Sequence, residues 1–148
     1  RPFYGQWSSQ EAGIRASQAQ IEALVALERS RGLAAQRIVL AGFSQGGAIA
    51  LHTGLRQPER LAGILALSTY LPLAGSLAAE RSEANRALPV FMAHGAEDPM
   101  IAVERAQRSR QKLQDLGYAV QWHTYPMPHA VCAEEIADIG NWLAAVLA

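Results

Sequence analysis

The stretch RIVLAGFSQGGAIAL, residues 37–51, places one serine among small residues between two apolar segments. The short segment Arg37–Ala41 contains two β-branched residues and predicts a buried strand, whereas Gly46–Arg56 predicts a helix that ends before Pro58. A strand that turns directly into a helix leaves almost no room at the turn. The residues around the serine must therefore be small, which the pattern G-x-S-x-G provides.

Ser44 is the central residue of this G-x-S-x-G pattern. We expect Gly42 and Gly46 to be required because a Cβ at either position would collide where strand and helix pass each other. The Ser44 hydroxyl would then be exposed at the C-terminal edge of a sheet, beside the positive end of a helix. The backbone N–H of Gln45 would point to where a carbonyl oxygen becomes an anion. The alternative is a glycine-rich turn that only packs.

Two downstream residues have the chemistry and the placement to act with Ser44. A serine hydroxyl needs a base to take its proton, and the base needs an acid to orient it; in this arrangement the chain order is Ser, Asp or Glu, then His. Asp98 follows the predicted strand Pro89–Ala93, and His129 follows the predicted strand Tyr118–Tyr125. Because sites in open α/β sheets collect at the C-terminal ends of the strands, we expect the three side chains to lie together.

Other acids and histidines are alternatives for these roles. Glu97 adjoins Asp98 and is the main competing acid, whereas Asp115 lies near the end of a helix and is expected to be a solvated charge. A structural role is expected for each of the other three histidines, which are His52, His94 and His123.

Helices and strands alternate along the chain. Apolar residues at helical spacing predict helices over residues 11–31, 102–116 and 136–146, and residues 61–67 are apolar enough for a central strand covered on both faces. This alternation predicts an α/β fold with a mostly parallel sheet and helices on both faces. No linker or repeat interrupts it, so we expect residues 1–148 to form a single domain.

The connection 69–88 is longer than ordinary loops of such folds, and long loops tend to be functional or to carry short helices. Its first residues, Tyr70 to Leu73, either wall an acyl pocket or pack in the core. Leu71 and Pro72 are therefore candidate substrate-binding residues.

Composition limits the partners and the compartment. Thirteen basic side chains balance thirteen acidic ones, so no net field favours nucleic acid or an anionic membrane. The single cysteine, Cys132, excludes an internal disulfide and predicts a cytoplasmic protein; it is expected to be a small buried apolar residue. No apolar run approaches the roughly 20 residues that span a bilayer, so stable membrane insertion is not expected. A homodimer is left open.

Several segments resemble the acyl-protein thioesterase and carboxylesterase family of α/β hydrolases, also called phospholipase/carboxylesterase. They are EAGIRAS, GFSQGGA, LAGILALSTYLPL, HGAEDPMI and YPMPHAVCAEEIADIGNWL, and the resemblance covers nearly the whole chain after residue 10. It implies an α/β-hydrolase fold in which Ser44 is the nucleophile, His129 the base and Asp98 the acid that orients it. It also implies that Gln45 supplies one oxyanion N–H, and it implies no metal or organic cofactor.

The chain departs from the family pattern in two places. Members carry, near the N-terminus, a strand ending in His-Gly-x-Gly whose loop supplies a second oxyanion donor, and this segment is absent from residues 1–148. Because the chain also starts at Arg1 without a methionine, we expect the N-terminal strands to be missing and the nucleophile strand to have a bare edge. Pro128 stands where a flexible residue is usual, so the loop of His129 is expected to take a different path.

The resemblance implies a carboxylesterase-type serine hydrolase that cleaves carboxylic esters, with thioesters also in range, through a Ser-His-Asp triad and an acyl-enzyme. Its partner would be a small-molecule or lipid acyl ester. Two alternatives stay open. One is an acyl-protein thioesterase or lysophospholipase that acts on long acyl chains. The other is a catalytically impaired binding module, because the segment with the second oxyanion donor is absent.

Overall fold

The computed structural model describes residues 9–148 of the chain, so the start at Arg1 lies outside the described residues. Helices and strands alternate, as the sequence predicts. In chain order the elements are α1 Ser9–Ser30, β1 Val39–Phe43, α2 Gln45–Gly54, β2 Gly63–Leu67, α3 Ala74–Glu80, β3 Val90–Gly95, α4 Val103–Asp115, β4 Val120–Tyr125 and α5 Ala133–Val146. Short 3₁₀ turns cover Ala35–Arg37 and Glu83–Asn85.

The four strands form one parallel sheet in the order β1-β2-β3-β4. Gly42 pairs with Ala66 and Ala93 pairs with His123, so the C-terminal ends of all four strands lie at one edge of the sheet. Each pair of neighbouring strands is joined by a helical connection, which parallel pairing requires. The predicted α/β fold with a parallel sheet is confirmed.

Two apolar cores cover the two faces of the sheet. The first lies between the sheet and helices α2, α3 and α4, and it includes Leu51, Leu55, Ile64, Ala66, Leu77, Val90, Met92 and Leu113. The second lies between the sheet and α5, and it comprises Leu65, Phe91, Ala93, Tyr125, Met127 and Trp142. Because neighbouring residues of a strand point to opposite faces, β2 and β3 contribute to both cores. Helices therefore cover both faces, as predicted.

Some element boundaries differ from the predicted ones. The predicted strand Arg37–Ala41 is wrong at both ends, because a 3₁₀ turn occupies Ala35–Arg37 and β1 continues through Phe43. Pairing with β2, and not local composition, sets its end, since Phe43 is still in register with Leu67. The long connection after β2 carries α3 and the second 3₁₀ turn, which agrees with the expectation that it holds short helices.

β1 forms an edge of the sheet among residues 9–148, and no described strand pairs with its outer side. Phe43 at its end is 38% exposed, and Ala41 is exposed too. The bare edge expected beside β1 is therefore present in the described part of the chain. Within that part, no helix combines the length and the apolarity needed to cross a bilayer.

An ion-pair network ties α1 and the turn after α2 to α3. The Arg56 side chain is only 3% exposed, and its Nε donates to Oε1 of Glu80 at 2.7 Å. Arg15 of α1 reaches the same carboxylate, with Nη1 at 3.0 Å from Oε1. The hydrogen bond from Arg15, together with that from Arg56, lowers the pKa of Glu80 from 4.5 to about 2 although partial burial opposes the shift. The folded protein therefore holds this carboxylate ionised.

We predict that Glu80→Gln lowers the free energy of unfolding by more than the roughly 1 kcal/mol of an exposed pair, because it leaves the buried Arg56 without its carboxylate. Since folding lowers the pKa of Glu80, its stabilisation is present above pH 4.5 and is lost as the pH falls towards 2. Urea unfolding between pH 7 and 2 measures both effects, and the variant should lose less stability than wild type in the acid range.

Glu83→Gln is the matched control, because Glu83 is 82% exposed and its partner Arg86 is exposed as well. It should change the urea midpoint little at any pH. Equal midpoints for the two variants would contradict the importance of the Glu80 network.

Candidate active site

Ser44 occupies a strained turn between the last residue of β1 and the first residue of α2. Its φ is 58° and its ψ is −122°, a conformation that non-glycine residues rarely adopt and that typically costs about 1–3 kcal/mol. The flanking bonds hold it there: the Ser44 N–H donates to Leu67 O at 2.8 Å, and the Ser44 carbonyl accepts from Ala48 N at 3.1 Å. The sequence prediction of a sharp strand-to-helix turn agrees with this geometry.

The glycines around Ser44 differ in what they do. A Cβ on Gly42 would overlap the backbone of Gly46, and a Cβ on Gly47 would lie 2.7 Å from Thr69 Cγ2. Around Gly46, in contrast, a Cβ would meet no heavy atom within 4 Å. The prediction that Gly46 avoids a collision is therefore wrong. The backbone of Gly46 crosses over Gly42, whereas the position that a Cβ of Gly46 would occupy is open.

The side chains of Ser44, His129 and Asp98 form a hydrogen-bonded row at the C-terminal edge of the sheet. His129 Nε2 lies 3.0 Å from Ser44 Oγ, and His129 Nδ1 lies 2.6 Å from Asp98 Oδ2. A carboxylate only accepts hydrogen bonds, so Nδ1–H donates to Asp98 and Nε2 is free to accept from the hydroxyl. The fold thus brings His129 into contact with Ser44, 85 positions away in the sequence, and with Asp98, 31 positions away. Glu97, the competing acid, is exposed and contacts neither partner through its side chain in the described hydrogen bonds.

The Asp98 carboxylate is buried and ionised. Its side chain is 0% exposed, and Oδ1 accepts from the N–H groups of Met100 at 2.8 Å and Ile101 at 2.9 Å. Burial raises its pKa, but the hydrogen bonds from Ile101, His129 and Met100 together outweigh that effect, so the pKa lies below its ordinary value. A negative charge therefore faces His129 near neutral pH.

The loop of His129 is attached to the loop of Asp98. The Ala96 N–H donates to Tyr125 O at 2.8 Å, and the Glu97 N–H donates to Met127 O at 3.1 Å. A Cβ on Gly95 would overlap the carbonyls of Met127 and Pro128, so only glycine lets the two loops approach. The loop of His129 thus crosses directly over the end of β3. The different path expected from Pro128 stays a prediction.

The other histidines lie in different surroundings. His52 is buried, with Nε2 2.7 Å from Gln18 Oε1, and burial, helped by nearby Arg56 and Arg15, lowers its pKa to about 4. His123 lies beside Gln121 and 3.7 Å from Asp138.

His94 contacts the acid itself, because its Nε2 lies 2.7 Å from Ile101 O and 3.5 Å from Asp98 Oδ2. Sequence reasoning missed this contact. The available signal was the spacing of four residues between a strand-ending histidine and the acid.

Leu71 and Pro72 line a cavity of about 380 Å³. The cavity lies between the start of α1, the loop after β2 and helix α4, and the Leu71 N–H donates to Ser109 Oγ at 2.9 Å. Three cations share the lining, which are Arg105, Arg108 and Lys112. Among the described lining residues there is no member of the Ser44 row. A role of Leu71 and Pro72 in substrate binding therefore stays a prediction.

Two more predicted positions lie at helix starts. Gln45 is the first residue of α2, and the N–H groups of a first helical turn have no acceptor within the helix. Its N–H therefore remains available to an anion next to Ser44.

Cys132 directly precedes α5 and is partly buried against the second core, so it is less buried than predicted.

The chain is similar to known proteins of one family. The sequence profile of the family described as Phospholipase/Carboxylesterase matches residues 3–147. Among curated proteins, the chain is 44% identical to acyl-protein thioesterase 1 of Neurospora crassa over 136 residues, which are 90% of this chain and 56% of that protein. It is 41% identical to acyl-protein thioesterase 1 of Mycosarcoma maydis over 150 residues, with 93% and 62% covered.

Solved structures show the same similarity. Esterase PE8 superimposes with a TM-score of 0.85 at 31% identity, over 92% of this chain and 63% of that one. Acyl-protein thioesterase 2 of Zea mays has a TM-score of 0.82 at 27% identity, over 93% and 66%. The chain spans 56% to 62% of the length of the two curated fungal relatives.

We predict that Gly42→Ala lowers the free energy of unfolding by about 1–3 kcal/mol or more, because the new methyl group overlaps the backbone of Gly46. Gly46→Ala is the matched control, because Gly46 lies at the same crossing but has room for a Cβ. It should leave stability unchanged or raise it by about 0.5–1 kcal/mol, since alanine is the better helix former. Thermal unfolding of both variants measures the difference, and equal losses would contradict the crossing geometry.

Proposed function

The chain belongs to the phospholipase/carboxylesterase family, and from this premise we propose that it is a serine hydrolase that cleaves carboxylic esters through an acyl-enzyme. The observation that carries the proposal is the row of side chains in which His129 bridges Ser44 and Asp98 at 3.0 and 2.6 Å. Order, tautomer and charge in this row are those that proton transfer from a hydroxyl requires.

The first step is the attack of Ser44. Its hydroxyl donates to His129 Nε2, and as Oγ bonds to the carbonyl carbon of the ester the proton passes to that nitrogen. The imidazolium that forms is stabilised by the ionised Asp98 carboxylate, which receives the Nδ1–H bond. Because Asp98 is buried and held by two backbone N–H groups, it need not reorganise when the charge develops.

The carbonyl oxygen becomes an anion in this step. The Gln45 N–H, at the start of α2, is the proposed donor to it, and the N-terminal end of the helix adds a favourable dipole. One donor in an oxyanion hole is typically worth about 10²–10³ in kcat. The rate therefore depends strongly on whether a second donor is present beside Gln45.

His129 then returns the proton to the departing alcohol oxygen, and the acyl group stays on Ser44. A water molecule takes the place of the alcohol, gives a proton to His129 Nε2 and attacks the acyl carbon. The bond to Ser44 Oγ breaks, the carboxylic acid leaves, and the proton returns to Ser44. Each group in the row ends in its starting state.

A second candidate is an acyl-protein thioesterase, the name that the fungal relatives at 41% and 44% identity carry. The same steps cleave a thioester, with a thiol as the leaving group. A lysophospholipase would use them on a lipid acyl ester. The cytoplasmic location, the single domain and the homodimer considered from the sequence stay predictions.

We predict that a fluorophosphonate probe labels the folded chain and that Ser44→Ala abolishes the labelling, because only an activated hydroxyl reacts with such a probe. Asp98→Asn should keep the serine but lower the labelling rate by up to about 10⁴-fold, since the tautomer of His129 is no longer held. Gel fluorescence over time measures both. Absence of labelling in well-folded wild-type protein would favour the non-catalytic binding module.

We predict that p-nitrophenyl esters of short acyl chains are hydrolysed with a higher kcat/KM than those of long chains, as expected for a small-ester hydrolase. The comparison uses acetyl, butanoyl, octanoyl and palmitoyl esters, with Ser44→Ala as the blank. A flat response to chain length would contradict the preference for small esters. A rise with chain length, together with cleavage of an S-palmitoylated peptide, would favour the thioesterase.

A further inference from the structure

We propose that His94 is a positioning residue for the active site: its side chain closes the turn that carries Asp98 and so keeps the carboxylate facing His129. The proposal rests on the hydrolase function proposed above, because its effect on kcat requires that the chain hydrolyses esters. It concerns a histidine that the mechanism itself does not use.

His94 joins the end of β3 to the far end of the turn. The residue lies next to last in β3, it is only 1% exposed, and its Nε2 lies 2.7 Å from the carbonyl oxygen of Ile101. A carbonyl oxygen only accepts hydrogen bonds, so His94 carries its proton on Nε2 and donates. This bond closes a ring of backbone from residue 94 to residue 101.

Asp98 is one of the residues of that ring. Oδ1 accepts from the N–H groups of Met100 and Ile101, so the residue that His94 holds is also one of the two that hold Asp98. Oδ2 is the oxygen that accepts from His129, and His94 Nε2 lies 3.5 Å from the same oxygen. A displacement of Ile101 would therefore move the carboxylate relative to His129.

The turn is fixed on its other side by a separate set of contacts. The Ala96 N–H binds the carbonyl of Tyr125 at the end of β4, and the Glu97 N–H binds the carbonyl of Met127 in the loop that carries His129. These bonds set the distance between the two loops, whereas the bond of His94 to Ile101 sets the position of the second half of the turn. Loss of the His94 donor should thus change the orientation of Asp98 without detaching the loops from each other.

His94→Leu tests the proposal, because it keeps an apolar side chain of similar size and removes the donor. We expect kcat for a p-nitrophenyl ester to fall by about 10²-fold with a smaller change in KM, since a displaced orienting group weakens the transition state more than substrate binding. His94→Gln should restore most of kcat, because its amide N–H can reach Ile101 O.

His52→Leu is the matched control. His52 is also fully buried, and its Nε2 is hydrogen-bonded to Gln18 on α1, away from Asp98. We expect this variant to lower the unfolding temperature, because it breaks a buried hydrogen bond, while kcat per folded molecule stays close to that of wild type.

Proton NMR supplies a readout that needs no turnover. The His129 Nδ1–H that donates to Asp98 should give a resonance far downfield of the amide protons in wild type and in His94→Gln, and this resonance should shift or vanish in His94→Leu. If wild type hydrolyses no ester, the proposed function fails, but the resonance still decides whether His94 positions Asp98.

Two results would overturn the proposal. One is a folded His94→Leu with wild-type kcat and an unchanged downfield resonance. The other is an equal loss in His94→Leu and His94→Gln, which would show that the donor is not what matters. If His94→Leu does not fold, His94→Asn replaces it, because its shorter amide keeps a polar side chain that cannot reach Ile101.

Discussion

The close crossing of β1 and α2 at Ser44 determines how the other groups of the site can be arranged. Gly42 lets the backbone of Gly46 pass over it, and Ser44 takes a φ of 58° because the chain must reverse within one residue. The bond from Ser44 N–H to Leu67 O anchors this turn to β2. As a result the hydroxyl lies 3.0 Å from His129 Nε2, beside the first N–H groups of α2.

The sheet brings the remaining groups to this serine. Parallel pairing aligns the ends of β1 to β4, so the loops after β3 and β4 emerge at the same edge as Ser44. Gly95 then allows the loop of His129 to lie directly on the loop of Asp98. The shared sheet edge and the close approach of the two loops therefore bring together residues that are 31 positions apart. They allow the 2.6 Å hydrogen bond between His129 and Asp98.

Much of the site was predictable because its requirements are local. Residue type, order along the chain and position after a strand are all visible in a sequence, and together they singled out Ser44, Asp98 and His129. Contacts made by folded backbone were not visible. The prediction for Gly46 is wrong because the sequence does not show which side of each glycine faces the crossing of β1 and α2. The contact of His94 with Asp98 depends on how the turn between them closes. The observed strand ends differ from the predicted ones because pairing with neighbouring strands, which the local sequence does not show, determines where a strand ends.

In the proposed reaction, acyl transfer passes through Ser44. The most direct measurement is intact-protein mass spectrometry after rapid mixing with a p-nitrophenyl ester and quenching in acid, followed by peptide mapping. We expect a mass increase equal to one acyl group, located on the peptide that contains Ser44 and absent from Ser44→Ala. An acyl adduct on another residue, or ester hydrolysis that persists in Ser44→Ala, would contradict it.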